Sequence, residues 1–133
     1  MKLSLLSFIQ LPSRSLTVGR DADSFCLSGG ERVDLRTLGS IRRIFRLLVE
    51  SHCARPGHPV SIAEIFEVAW FGEEVGESAL GGRRGRVYTV LSKLRKMGLA
   101  SVLCRKSGGY HLDPHCLVIT ESSLAPLDAR LAS

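Results

Sequence analysis

Between Arg83 and Met97 the apolar residues Val87, Val90, Leu91 and Leu94 recur at helical spacing, and Gly98 follows as a natural helix-ending residue. The remaining positions of this helix carry Arg83, Arg84, Arg86, Lys93, Arg95 and Lys96, and not one acid. A solvated helix face usually mixes signs, because acid–base pairs one turn apart add stability and solubility. This helix forgoes that support. From Gly82 to Lys106 there are eight Lys or Arg and no Asp or Glu, although the formal net charge of the chain is only +5. Glu64, Glu67, Glu73, Glu74 and Glu77 sit just upstream. A charge separation of this kind points to a localised anionic partner.

The rest of the chain organises around this helix. A length of 133 residues suits one domain, and 44% apolar residues suffice for a core. Residues 1–35 read as short strands: "KLSLLSF", "SLTVG", then "FCL" and "RVDL" as a hairpin about Gly29-Gly30. The period then changes. Ile41, Ile44, Phe45, Leu48 and Val49 form one helical stripe, with Ser40 as the expected N-cap. "ARPGHP" ends that helix. Ser61 with Glu64 three residues on is a capping-box pattern, and Ile62, Ile65, Phe66 and Ala69 continue a second stripe up to Trp70. "FGEEVGESALGG" is an acidic loop leading into the basic helix, expected over residues 83–97. "SVLCRK" and "YHLD" around "SGG" predict a second hairpin, about a Gly-Gly turn. "HCLVIT" adds a further strand candidate, and the last dozen residues read as a tail.

Several function classes find no support. Cys26, Cys53, Cys104 and Cys116 are widely and irregularly spaced, which suggests reduced thiols in a cytosolic protein. No stretch is long enough to span a bilayer, and no small-residue cleavage site follows the short apolar run at Leu3–Ile9. His111, His115, Cys104 and Cys116 match no known metal-site spacing, so neither a metal nor a cofactor is expected. "GGRRGR" is not a phosphate loop, because no Gly-Lys-Ser/Thr follows a strand. Nothing places Ser, His and Asp together, and the chain reads as a non-enzyme. Trp70 reads as a core anchor. Arg42, Arg43 and Arg46 on the first helix read as solvated charges, with backbone phosphate as the alternative.

The order of a β-rich start, three helices and a hairpin is that of a helix-turn-helix followed by a wing. The stretch from about Phe25 to Pro114 resembles the winged-helix DNA-binding domain at the C-terminus of OmpR/PhoB-type response regulators. "SIAEIFEVAWFG" is similar to the family's second helix, with Trp70 and Gly72 split by Phe71. "RVYTVLSKLRKMG" is similar to its recognition helix, matching at Val87, Leu91, Ser92, Leu94 and Arg95. "CRKSGGYHLDP" is similar to its wing, matching at Lys106, Gly109 and Tyr110. Departures are Tyr88, where an acid commonly follows the first Val, and Lys106, where Arg is usual. Ser107 stands in place of the first wing glycine. The N-terminal part is too short for a receiver domain.

The resemblance implies an α+β fold: a winged helix-turn-helix with N-terminal antiparallel strands, three helices and a C-terminal hairpin wing. Its expected boundaries are 1–24 for N-terminal strands, 25–114 for the winged-helix domain and 115–133 for a C-terminal strand and tail. The implied partner is double-stranded DNA, with a role in transcription. On the helix itself, Arg86, Thr89, Lys93 and Lys96 lie opposite the apolar stripe, bordered by Tyr88, Ser92 and Arg95. Such a face fits the major groove. Arg86, Thr89 and Lys93 are expected at base edges, with Tyr88 and Ser92 next. Arg83, Arg84, Arg95 and Lys96 are expected at phosphates. Arg105 and Lys106 in the wing would enter the minor groove or grip the backbone. In the resembled family the loop corresponding to 71–81 can contact RNA polymerase, so RNA polymerase or another regulator is the implied partner there, with solubility as the alternative role of its acids. Homodimerisation through the N-terminal strands, as a tandem pair, or not at all stays open. The competing reading is a protein–protein adaptor on the same fold.

Overall fold

The structure is a computed structural model that describes residues 14–71 and 82–121. Among them are three α-helices and two small sheets, a mixed α+β arrangement. The segment "KLSLLSF", the acidic loop from Gly72 to Gly81 and the tail lie outside the described residues.

The first stripe folds as helix α1, Gly39–Ala54, and buries all of Ile41, Ile44, Phe45, Leu48 and Val49. Each such side chain removed from water contributes about 1.5–3 kcal/mol. The helix begins earlier than Ser40 suggests. Leu38 is the N-cap residue and gives no side-chain cap; its carbonyl accepts from the Arg42 amide at 2.8 Å. The turn before the helix is closed by the backbone, with the Leu38 N–H donating to the Leu35 carbonyl at 3.1 Å. Within that turn the Arg36 guanidinium reaches back to Asp34 at 2.8 Å.

Helix α2, Ile62–Ala69, starts as its sequence predicts: the Ser61 hydroxyl oxygen accepts from the Glu64 amide at 3.1 Å. Its far end is closed by α1. The Arg43 guanidinium donates to the Ala69 carbonyl at 3.0 and 2.7 Å, satisfying an oxygen that the helix terminus leaves open. Arg42 and Arg46 are occupied as well, beside Asp21 at 3.8 and 3.4 Å, and Arg46 also meets Glu50 at 3.2 Å. Helix α3 spans Gly82–Leu94 and then widens into a π turn, Arg95–Leu99, instead of running regularly to Met97. Gly98 within that turn has φ 135°, which a side chain rarely adopts.

Strands β1 (Ser15–Val18), β2 (Ser24–Leu27) and β3 (Val33–Asp34) are antiparallel neighbours in the first sheet. Strands β4 (Val60–Ser61), β5 (Leu103–Lys106) and β6 (Gly109–Leu112) make the second sheet, in the order β4-β6-β5. The last strand, β7 (Leu117–Thr120), returns to the first sheet and lies parallel to β1, giving the order β3-β2-β1-β7. Leu16, Val18 and Cys116 are buried in the same core as α1, so this core runs across the boundaries expected at 24/25 and 114/115.

The predicted second hairpin is β5–β6, but its turn sits one residue earlier than a Gly-Gly turn. Ser107 (φ 50°) and Gly108 (φ 77°) take the two positive-φ positions, and Lys106 pairs with Gly109. Gly109 is needed elsewhere: a Cβ there would stand 2.5 Å from the Val60 carbonyl oxygen. Strand β4 has only two residues and carries no local pattern; it is set by pairing with β6.

Candidate nucleic-acid interface

The 3.6-residue period divides α3 into two faces. Val87, Val90, Leu91 and Leu94 are buried, while Arg83, Arg84, Arg86, Tyr88, Thr89, Ser92, Lys93, Arg95 and Lys96 are exposed. Burial along α3 thus follows the apolar period. Arg105 and Lys106 are exposed on β5, at the end of the hairpin nearest its turn.

Aromatic rings position much of the charge. The Arg83 guanidinium lies over Phe66 at 5.4 Å and that of Arg86 over Trp70 at 5.5 Å. Trp70 is thus a platform for an arginine as well as a partly buried residue packed beside Phe66 at 5.2 Å. Arg105 lies over Tyr88 at 6.0 Å, and Arg95 over Tyr110 at 5.9 Å. Tyr88 meets Tyr110 edge-on at 6.5 Å. Exposed cation–ring contacts of this kind are worth about 0.5–1 kcal/mol each. Arg95 is held further by a hydrogen bond to the Leu103 carbonyl at 3.3 Å, which ties α3 to β5. Thr89 donates its hydroxyl to the Gly85 carbonyl one turn back at 2.9 Å. That leaves its oxygen lone pairs as acceptors.

Six cations of this face and the hairpin, Arg84, Lys93, Arg95, Lys96, Arg105 and Lys106, meet no carboxylate among the described residues. Pairs do form elsewhere, at Arg32–Glu121, Arg36–Asp34 and the Asp21 cluster of α1. Asp34 accepts side-chain and backbone hydrogen bonds from Arg36, which lowers its pKa to about 2. A cleft of about 340 Å³ opens between α3 and β5–β6, lined by Tyr88, Leu91, Ser92, Arg95, Arg105 and Tyr110. Among the described residues no carboxylate lines it. Tyr88 and Ser92, expected next to the base-reading positions, border this cleft beside the hairpin. Tyr110 is legible in the sequence only as a motif residue, because its role depends on Tyr88 and Arg95 arriving from another element.

The remaining constellations assemble nothing further. His111 Nδ1 bonds the Leu112 carbonyl at 2.9 Å, and His115 Nδ1 lies 3.3 Å from Asp113. Among the described residues no three His, Cys, Asp or Glu side chains are grouped to hold a metal ion. Burial pushes the Cys53, Cys104 and Cys116 thiols up, which disfavours the reactive thiolate. Among the described residues no helix is long and apolar enough to cross a membrane. No family model, curated protein or solved structure matches this chain significantly.

Proposed function

We propose that this chain is a cytoplasmic transcriptional regulator of winged-helix type that binds double-stranded DNA. Helix α3 enters the major groove and β5–β6 serves as the wing. The observation that carries this reading is the acid-free, exposed face of α3, whose opposite face is fully committed to the core. Arg86, Thr89 and Lys93 address base edges: a guanidinium forks onto guanine O6 and N7, and a threonine methyl meets a thymine methyl. Arg83, Arg84 and Lys96 neutralise phosphates and set the register. Lys106 extends the basic surface along the wing.

Fluorescence anisotropy with a duplex across a salt series tests the proposal. Each phosphate neutralised adds about 0.9 to the slope of log affinity against log salt. A slope of about −3 to −5 is expected, and the double variant Arg86→Ala/Lys93→Ala should weaken binding. Unchanged duplex affinity in that variant refutes the assignment. A second reading, a protein–protein module on the same fold, draws on Phe71, which is 86% exposed beside Trp70 at the end of α2. It predicts binding to a protein and no steep salt dependence with DNA.

A further inference from the structure

We propose that the cleft between α3 and the β5–β6 hairpin is a seat for one backbone phosphodiester of the bound duplex, a role that rests on the duplex-binding reading. Tyr88 is the deciding residue. A carboxylate at this position would sit beneath the Arg105 guanidinium and pair with it. The ring of Tyr88 instead holds that guanidinium at 6.0 Å without cancelling its charge. The second cation, Arg95, is fixed by the same logic. Its guanidinium rests on Tyr110 at 5.9 Å and spends one hydrogen bond on the Leu103 carbonyl. A guanidinium has five N–H donors, so most of its capacity remains.

The cleft therefore has two cations and an aromatic floor, with Ser92 also among its lining residues. At about 340 Å³ it has room for a phosphodiester and part of its sugar. Guanidinium forks recognise phosphate oxygens in pairs, and the two arginines come from different elements, so a phosphate bound between them joins helix to hairpin. Tyr88 acts as a positioning residue for Arg105, and not as a reader of base edges.

The test compares wild type, Arg105→Ala, Tyr88→Asp and Tyr88→Phe in duplex anisotropy across a salt series, with Arg86→Ala/Lys93→Ala alongside. Circular dichroism melts accompany each variant. Arg105 is exposed, so its removal leaves the core intact. Tyr88→Asp puts a carboxylate beside Arg105, whereas Tyr88→Phe keeps the ring. Arg105→Ala and Tyr88→Asp should each bind about five- to tenfold more weakly near 0.1 M salt, with the slope shallower by about one, as loss of one phosphate contact implies. Tyr88→Phe keeps the ring beneath Arg105 and should bind more tightly than Tyr88→Asp, with a steeper slope than that variant. If Arg105→Ala and Tyr88→Asp keep the wild-type slope while Arg86→Ala/Lys93→Ala loses affinity, the seat is overturned and duplex binding stands. If wild type binds no duplex, both readings fall.

Discussion

Gly109→Ala probes how the hairpin is joined to α2. A Cβ at position 109 would stand 2.5 Å from the Val60 carbonyl oxygen, 3.0 Å from its carbon and 3.1 Å from Pro59 Cβ. Ordinary contact begins at 3.4 Å, so β4 would have to retreat by about 0.9 Å (3.4 less 2.5). That strand has two residues, and its second, Ser61, caps α2. Forcing atoms into a packed site costs about 1–3 kcal/mol, and weakening the cap adds about 1 kcal/mol. A total of about 2–4 kcal/mol corresponds to a melting point lower by about 7–14 °C in a domain of this size. Gly108→Ala is the control. Its φ is +77° but no atom lies within 4 Å of the added Cβ, so only the left-handed backbone penalty of about 1–2 kcal/mol applies. Thermal melts by circular dichroism read both. A Gly109→Ala protein melting within about 3 °C of wild type would refute the close-approach argument, and so would a larger loss for Gly108→Ala.

The Arg86→Ala/Lys93→Ala variant should lose duplex affinity, and Arg105→Ala should flatten the salt slope, both by anisotropy. Arg43→Ala should cost about 1–2 kcal/mol in urea unfolding, since it removes two charge-assisted bonds to the Ala69 carbonyl. Arg43→Lys should restore little, because an ammonium lacks the fork. The Asp34 carboxyl should titrate near 2 by NMR, and Arg36→Ala should move it back toward the ordinary carboxylate value. Its folded value lies below its unfolded one, so the pair stabilises above about pH 4 and that support is lost as pH falls through about 2.

Features whose physics is local can be read from the chain. A helix needs about one apolar side chain per turn on the core side, and the stripes at Ile41–Val49 and Val87–Leu94 declare themselves by that period. The Ser61 cap uses a hydroxyl and an amide three residues apart. The basic face of α3 follows from the same period, because everything off the stripe must face outward. Turns are legible as regions but not to the residue: "SGG" offers two pairs of positions, and the neighbouring Val60 backbone decides which glycine must enter the strand.

Contacts between distant elements follow a different logic. The parallel pairing of β1 with β7 joins segments about a hundred residues apart, and no short pattern encodes such a partner. Arg43 reads as a solvated charge until α2 brings the Ala69 carbonyl to it. Tyr88 lies at the border of its helix face, where periodicity is indifferent, and Tyr110 and Arg105 from the hairpin settle its surroundings. A helical period specifies which side of a residue is buried, but the partner it meets depends on where another element's backbone passes.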